Sequence, residues 1–409
     1  MSADPVFPAS PGAAAPSTAG TGTGDLLQVM RDGRPRTRAE LVELTGLARS
    51  TVKARVDALL ATGLLAPAGA QASTGGRPPT RFAFNPGCGL VLASDVGATH
   101  ARAALTDLDA EVLVERSAEL DVAAGPDVVL DWLVRTGHEL LKDAGRSVGE
   151  VVGVGIGLPG PVEHDSGRPV NPPIMPGWDG FDVPGYVSER LAGPVLVDND
   201  VNIMALGEHT VAYPAVEHLV FVKVATGIGA GIISGGRLHR GAQGAAGDLG
   251  HVLAPHAGDV PCRCGNTGCL EAIASGAAVA AALREQGLDV AGSRDVVRLA
   301  RAGDVPTIQA LRQAGRDLGE VLATVVSMLN PSVIALGGVL PTASESLVAG
   351  VREVVYGRSL PLATGSLQIV ASRTGEHAAV TGAAAMVVQH VLAPEQVDAA
   401  LANGGTRTG

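Results

Sequence analysis

The sequence is poor in aromatic residues, in basic residues near its start and in long apolar runs. Aromatic residues make up 2% of the 409 positions and hydrophobic residues 46%, so the core must be built mainly from Ala, Val, Leu and Ile. This composition favours an α/β body with room for two or three domains. Because the first basic residue is Arg31 and no apolar run could span a bilayer, we expect a cytoplasmic protein without a signal peptide or a membrane partner.

Charge is divided unevenly along the chain. The net charge is −11, yet residues 24–84 carry nine basic and five acidic side chains, a local net charge of +4 that leaves −15 for the remainder. A basic module followed by an acidic body suggests that the front of the chain meets a polyanion. Residues 1–23 lack apolar periodicity and are predicted to be a disordered leader, and residues 394–409 are predicted to be a flexible tail.

Residues 24–86 carry the signals of a winged helix-turn-helix domain. After a short first helix, Thr37 and Glu40 form a T-x-x-E capping box that opens a second helix. The apolar residues of that helix, Leu41 and Leu44, are expected to point inward. A third helix and two short strands then complete the pattern, with the strands forming the wing.

The third helix is expected to enter the major groove of DNA. Ser50 is its predicted cap, and the apolar residues that follow Val52 at helical spacing form one buried stripe. Two other interpretations stay open, a plain three-helix bundle with a solvated basic face and a module that mediates protein contacts only. The candidate DNA contacts are Arg49, Ser50, Thr51, Lys53 and Arg55 on the helix and Arg77 in the wing loop.

Residues 87–393 alternate strands and helices in two similar halves. The first half opens on a buried strand at residues 90–94 with two hairpin partners, and the same plan begins again at residues 219–224. Each opening strand ends in a turn with glycine. The repetition predicts two similar lobes around a cleft.

Three of the chain's four cysteines lie close together behind a histidine. His251, Cys262, Cys264 and Cys269 offer one imidazole and three thiolates, a tetrahedral Cys₃His set for zinc, and interleaved glycines let the backbone bend around one ion. Four protein ligands leave no open position for water, so this zinc knuckle is expected to be structural. Disulfide pairing and unrelated buried thiols around a core histidine are the alternatives.

Three turns that follow predicted strands are candidates for holding a nucleotide. Backbone N–H groups and a Thr hydroxyl in such turns bond phosphate oxygens, and an Asp at a strand end can hold hydrated Mg²⁺. For any single turn, a plain β-turn is the simpler interpretation. The candidate nucleotide-binding residues are Asp95, Gly97 and Thr99 in the first turn, Thr226, Gly227 and Gly229 in the second, and Gly337 and Gly338 in the third.

A further buried strand ends in Asp198-Asn199-Asp200. A carboxylate at such a strand end can accept a proton from a substrate hydroxyl, and an amide offers a donor and an acceptor to a neighbouring hydroxyl. The alternative is that Asp200 only caps the helix that follows. Asn171, in a proline-rich loop near Trp178, adds a polar group that is predicted to lie over a carbohydrate-sized pocket.

In this order the motifs resemble those of the ROK family of repressors and sugar kinases, over about residues 25–389. The resemblance implies a two-lobed actin-like ATPase fold behind the winged helix-turn-helix, a module of the family's repressor branch that its simple sugar kinases lack. The shared motifs are DxGxT at 95–99, GxPGPV at 157–162, the Asn199-Asp200 pair, TGxGxGI at 226–232, and GxxGxAGExGH at 241–251 with CxCGxxGCxE at 262–271.

The resemblance also implies roles for individual residues. Asp200 would be the catalytic base, and His251 would serve both the zinc and the sugar. The implied sugar ligands are Asn171, Asn199, Asp200, Asp248, His251 and Glu271. Three positions depart from the family pattern: Asp248 stands in place of a Glu, Ala98 in place of a Gly, and His100 where Lys or Arg is frequent. The sugar is therefore open, and ATP is expected to bind poorly.

Two functions are consistent with these patterns. The first is a sugar-responsive transcriptional regulator, a repressor, that binds operator DNA as a homodimer or homotetramer and senses a hexose or hexose derivative. The alternative is a hexose kinase that uses ATP and Mg²⁺ and retains a DNA-binding module.

Overall fold

The computed structural model describes residues 22–70 and 79–403. Its helices are α1 (Thr23–Met30), α2 (Arg38–Thr45), α3 (Arg49–Ala61), α4 (Pro126–Asp143), α5 (Val183–Ser188), α6 (Asp200–Ala212), α7 (Leu270–Ala274), α8 (Gly276–Glu285), α9 (Ser293–Arg301), α10 (Val305–Leu329), α11 (Val339–Ala343), α12 (Glu345–Arg358), α13 (Pro361–Thr364), α14 (Ala378–Val391) and α15 (Pro394–Ala402). Its strands are β1 (Leu65–Ala70), β2 (Thr80–Phe84), β3 (Leu90–Val96), β4 (His100–Thr106), β5 (Val112–Glu119), β6 (Val151–Leu158), β7 (Val162–Glu163), β8 (Arg168–Pro169), β9 (Val195–Asn199), β10 (Leu219–Val224), β11 (Ile228–Ser234), β12 (Arg237–His239), β13 (Val333–Gly337) and β14 (Gln368–Ala371).

The chain divides into two compact units. The smaller unit combines the residues up to Cys88 with those from His390 onward, and the larger unit spans Gly89–Gln389. The first division lies two residues after the boundary predicted between residues 86 and 87. The first and the last of the described residues therefore belong to the same unit.

Local signals account well for α2. Thr37 Oγ1 accepts a hydrogen bond from the Glu40 amide at 3.2 Å, and Glu40 Oε2 accepts one from the Thr37 amide at 2.6 Å. This confirms the predicted capping box. Leu41 is fully buried, but Leu44 is 56% exposed, so the prediction that it points inward was wrong. This two-turn helix buries one side chain, and its last turn faces solvent.

The third helix begins earlier than predicted. Ala48, in an extended conformation, is the residue before α3, and its carbonyl accepts the Val52 amide at 3.0 Å. Ser50 therefore lies within the first turn and does not cap the helix. The buried stripe is present, because Val52, Val56 and Leu59 are inaccessible to solvent.

Strands β1 and β2 form a two-stranded antiparallel sheet after α3. Leu65 pairs with Phe84 and Ala66 with Ala83. Residues 71–78, which link the strands and include the predicted wing residue Arg77, lie outside the described residues, as do residues 1–21 of the predicted leader.

The predicted flexible tail is wrong for residues 394–402, which form α15. Pro394 occupies the first turn of this helix, where a missing N–H costs nothing, and Val397 is buried. Asp398 Oδ1 accepts hydrogen bonds from the amides of Thr23 and Gly24, at 2.7 and 2.9 Å, at the start of α1. A carboxylate there satisfies N–H groups that have no partner within the helix.

The larger unit contains two five-stranded sheets with the same connectivity. Their strand orders are β5-β4-β3-β6-β9 and β12-β11-β10-β13-β14. In each sheet the first three strands are antiparallel neighbours, and the last two are added in parallel. The repeated opening that was predicted from the sequence is thus confirmed.

Helices pack on these sheets through small residues. An added Cβ at Gly231 of β11 would lie 2.5 Å from Ala205 Cβ, so glycine lets α6 approach β11 closely. The same holds for Gly207 and Gly382, where α6 and α14 touch. Within the described residues no helix has the length and apolarity needed to cross a membrane.

Candidate functional site

The four residues of the predicted knuckle converge. Their ligand atoms all lie within 4.8 Å of one another, with His251 Nδ1 3.6 Å from Cys262 Sγ and Cys264 Sγ 3.7 Å from Cys269 Sγ. Zinc bonds of about 2.3 Å to sulfur and 2.0 Å to nitrogen, at tetrahedral angles, require separations of roughly 3.6 Å and 3.8 Å for these two kinds of pair. The cluster therefore fits a metal ion.

The backbone and the thiol pKa values follow from the turn that holds the cysteines. Gly265 and Gly268 have φ angles of 92° and 73°, which glycine adopts without strain. Hydrogen bonding from the Asn266 amide lowers the pKa of Cys264, whereas burial raises the pKa of Cys269 to about 12. Without a metal the Cys269 thiol is protonated at neutral pH, so metal binding must displace its proton.

The knuckle is connected directly to the second phosphate turn. Cys269 precedes α7, and Glu271 in the first turn of that helix reaches back so that its Oε2 accepts the Ile228 amide at 2.9 Å. The same oxygen would lie 2.5 Å from a Cβ added to Gly227. A carboxylate of the chain thus occupies the glycine face of the turn where a phosphate was predicted.

One cavity joins residues that were predicted for three different ligands. It has a volume of about 420 Å³ and is lined by Thr226, Glu271 and Cys262, together with Arg263 and Arg284. This volume is within the range of small-molecule sites, roughly 300–1,000 Å³. Predicted nucleotide, sugar and metal residues therefore meet in one place.

Asp248 precedes a short 3₁₀ turn next to β11, Leu249–His251, and His251 is the last residue of that turn. A Cβ added to Gly250 in this turn would lie 2.3 Å from the Ile228 carbonyl oxygen and 3.5 Å from Glu271 Cβ. Asp248 is exposed, and within the described residues its carboxylate has no hydrogen-bond partner. The turn therefore places two predicted sugar ligands beside a third.

The residue that caps α6 at the end of β9 is not the one considered from the sequence. Asn199, not Asp200, caps α6: its Oδ1 accepts the Val201 amide at 2.9 Å, and its Nδ2 donates to the Gly160 carbonyl at 3.0 Å. Both polar atoms of Asn199 are thus engaged by the chain. Asp200 is the first residue of α6 and is buried.

Asp200 forms an ion pair with Lys223 of β10. Lys223 Nζ lies 2.5 Å from Asp200 Oδ2, and the two side chains are 21% and 5% exposed. Burial raises the pKa of Asp200; burial by itself would lower the pKa of Lys223, but the carboxylates of Asp200 and Asp95 raise it. Removing one partner of such a pair costs about 3–5 kcal/mol, because the other charge stays buried.

The first phosphate turn is covered by a histidine. The ring of His100 lies directly over Gly97, where an added Cβ would be 2.2 Å from Cε1, and His100 Nε2 is 3.7 Å from Asp95 Oδ2. Thr99 is exposed. The predicted phosphate face of this turn is therefore occupied by the residue that departs from the family pattern.

The remaining candidates have structural explanations of their own. Gly229 packs against Val201 of α6, and Gly337 lies under the ring of Phe221. Gly338 has a φ of 89° and lies close to the backbone of Val224. None of these contacts tests a role in nucleotide binding, which stays a prediction.

Asn171 lies in the loop between β8 and α5. It is exposed with a φ of 43°, and its amide donates to Asp179 at 2.7 Å. Its neighbour Pro172 packs on Gly160, the residue that Asn199 binds. Trp178, in contrast, is fully buried in the core of the first lobe.

Sequence reasoning missed two cations beside the motif at the end of β9, Arg240 and Lys223. Asp198 is buried and accepts hydrogen bonds from Arg240 Nε at 2.6 Å and Asn202 Nδ2 at 2.7 Å. Arg240 directly precedes the segment that carries Asp248 and His251. For Lys223 a signal existed, because it is the single charge in an otherwise apolar strand.

The candidate DNA contacts lie along α3. Arg49, Ser50 and Lys53 are exposed, and Thr51 and Arg55 are half-buried. Lys53 Nζ is 3.7 Å from Asp57 Oδ2, a solvent-exposed pair one helical turn apart that contributes little to stability. The start of α3 therefore offers a polar and basic surface.

Comparison with known proteins identifies the larger unit. Residues 91–390 match the model of the ROK family. The chain belongs to the ROK family. It is 29% identical to the xylose repressor of Bacillus spizizenii over 368 residues, which cover 90% of this chain and 94% of the repressor.

Solved structures extend the ROK assignment. A ROK family transcriptional regulator, a homologue of the E. coli MLC protein, has a TM-score of 0.80 and 26% identity, covering 93% of this chain and 98% of that one. A ROK family glucokinase from Streptomyces griseus, in complex with glucose and AMPPNP, has a TM-score of 0.61 and 27% identity, covering 73% and 99%. These matches confirm the predicted family and its actin-like α/β kinase fold.

Proposed function

We propose that this ROK protein is a sugar-responsive transcriptional repressor. The observation that carries the proposal is the extent of its similarity to regulators: the regulator structure covers 93% of the chain, whereas the glucokinase covers 73%. The smaller unit adds the means to bind DNA. Three helices and an antiparallel strand pair are the elements of a winged helix-turn-helix, in which α3 would enter the major groove.

The larger unit would sense the sugar. Asp248, His251 and Glu271 lie around one turn, and the knuckle that positions His251 and Glu271 has the donor set and spacing of a structural zinc site. A hexose or hexose derivative bound there changes DNA affinity only if it prefers one of two conformations of the protein. Because operators have twofold symmetry, the active form is expected to be a homodimer or homotetramer.

Operator binding tests this proposal directly. The full chain is mixed with the DNA upstream of its own gene, and electrophoretic mobility shift is measured with and without candidate sugars over a range of salt. We expect a specific complex that one sugar weakens. Arg49→Ala with Lys53→Ala should reduce affinity at all sequences and lower the salt slope by about one for each phosphate that the variant no longer neutralises.

The matched control is Arg135→Ala with Lys142→Ala, two exposed basic residues of α4 in the larger unit. This variant should bind DNA like the wild type. A wild-type protein that shifts no DNA specifically at moderate salt contradicts the proposal. Equal decreases in affinity in both double variants would show that general positive charge, not the α3 surface, determines binding.

The kinase alternative rests on Asp200, which is buried at the start of α6 in a fold shared with a glucokinase. In such an enzyme Asp200 would accept the proton of the attacking sugar hydroxyl. An assay that couples ADP release to absorbance, run across hexoses with Asp200→Asn as the control, tests it. Turnover that disappears in the variant would make the protein an enzyme as well.

A further inference from the structure

Lys223 occupies an unusual place in the second sheet. It lies in the central strand β10, and its cross-strand neighbours are Gly229 on one side and Gly337 on the other. Both neighbours belong to turns that were predicted to hold phosphates. A single cation thus stands between the two glycine-rich turns, in a strand whose other residues are apolar.

Its ammonium group contacts a carboxylate that follows the last strand of the first sheet. Lys223 Nζ is 2.5 Å from Asp200 Oδ2. Asp95, at the end of β3, pairs in register with Gly157 of β6, where an added Cβ would lie 3.5 Å from Asp200 Cα. Two carboxylates at strand ends beside phosphate turns are the oxygen ligands that Mg²⁺ uses with nucleotides. Here the chain itself supplies a positive charge to one of them, Asp200.

We infer that the Lys223 ammonium is a built-in cation that takes the place of a metal ion at Asp200, close to the strand end that carries Asp95. This inference deepens the proposed function and rests on it, because it explains how a kinase-like site can bind a sugar without phosphorylating it. The Lys223 ammonium engages an oxygen of Asp200 that a kinase would use to accept the proton of a sugar hydroxyl. Side chains also cover the first and second phosphate turns, His100 the first and Glu271 the second.

The test is whether removal of the lysine creates a metal site. Lys223→Met keeps most of the length of the unbranched side chain and removes its charge. Full-length, zinc-loaded protein is titrated with Mn²⁺ alone and followed by electron paramagnetic resonance and by thermal unfolding. We expect Lys223→Met to unfold roughly 10 °C lower than the wild type without Mn²⁺. It should bind one Mn²⁺ at least about tenfold more tightly than the wild type and regain stability with it.

Two further variants make the result specific. Lys223→Met with Asp200→Asn should lose the Mn²⁺ site, and Lys142→Met, an exposed lysine on α4, should behave like the wild type. Equal Mn²⁺ binding by the wild type and Lys223→Met would overturn the inference. So would a Lys223→Met protein that does not fold even in Mn²⁺, because the metal should replace the missing charge.

Operator binding by the wild-type protein is measured separately. If it fails while the Mn²⁺ results hold, the proposed repressor function is wrong but the built-in cation stands. If operator binding responds to sugar and Lys223→Met gains no metal, the cation inference alone is wrong.

Discussion

The two sheets of the larger unit share one strand order, yet the turns at matching places in them are closed by different chemistry. In the first sheet the turn between β3 and β4 is covered by the imidazole of His100, from the strand that follows it. In the second sheet the turn between β10 and β11 is covered by the carboxylate of Glu271, delivered by α7 from beyond the knuckle. The first closure is local, whereas the second depends on four residues that converge on a metal site.

The same strand order in the two sheets therefore does not give their two turns the same binding chemistry. Connectivity places a glycine-rich turn at the same position twice, and side chains from other elements decide what each turn can bind. The second turn shares a cavity with predicted sugar and metal ligands, and no residue of the first turn lines that cavity. We therefore expect metal and sugar to be coupled to the second turn and the first to be independent of both.

Loss of the metal should have the largest effect and should be confined to the second lobe. Cys264→Ser removes one thiolate, and structural zinc sites contribute on the order of 10 kcal/mol or more of binding free energy. Zinc content, measured by mass spectrometry, should fall from one ion per chain to nearly none, and sugar binding measured by calorimetry should be abolished.

Cys88→Ser is the control, because Cys88 is the fourth cysteine and lies outside the cluster. It should retain both zinc and sugar binding. A Cys264→Ser protein that still binds sugar normally would show that the second turn does not depend on the knuckle.

Low pH should weaken metal binding at the knuckle, an effect that has no counterpart at the first turn. Burial raises the pKa of the Cys269 thiol to about 12, so below that pH the metal-free protein carries a proton that binding must release. Zinc affinity should therefore fall about tenfold for each unit that pH is lowered, for this proton alone. Chelator competition between pH 8 and pH 6 measures the slope. An affinity that does not change with pH would exclude displacement of a thiol proton.

How much of this could be predicted from the sequence depends on the distance over which each signal acts. The Thr37–Glu40 capping box and the clustered knuckle ligands are local patterns, and the structure brings each set together as expected. The family motifs predicted Asp200 at a strand end, but its partner Lys223 is defined only by how β10 lies in the second sheet. No periodicity in either segment encodes that meeting.

The absence of a local signal also explains why residues 394–402 were wrongly predicted to be a flexible tail. Residues 394–402 have a weak helical pattern, and their stability comes from α1, whose first amides bind Asp398 from 374 and 375 positions away. A contact over that separation leaves no local trace. The predictions for Leu44 and Ser50 were wrong for a related reason. Neighbouring segments decide which side chains a helix buries and at which residue it begins.

A change of charge at Glu271 should have a moderate effect. Glu271→Gln keeps the shape and an acceptor for the Ile228 amide but removes the negative charge, which makes the hydrogen bond about 1 kcal/mol weaker. Sugar affinity should fall about tenfold, with zinc content unchanged. Glu285→Gln, an exposed residue of α8, is the control and should have no effect. Unchanged sugar affinity in Glu271→Gln would remove Glu271 from the sugar site.

The smallest effect is expected at the first turn. His100 is half-exposed, with a side chain 50% accessible, so His100→Ala should alter the free energy of unfolding by no more than about 0.5 kcal/mol. Because the ring lies over Gly97, its removal opens the face of the turn, and a fluorescent ATP analogue should bind a few-fold more tightly than to the wild type. Sugar affinity and zinc content should not change, since both belong to the second turn. If His100→Ala weakened sugar binding as much as Glu271→Gln, the two turns would form one coupled site, and the separation between the lobes would not hold.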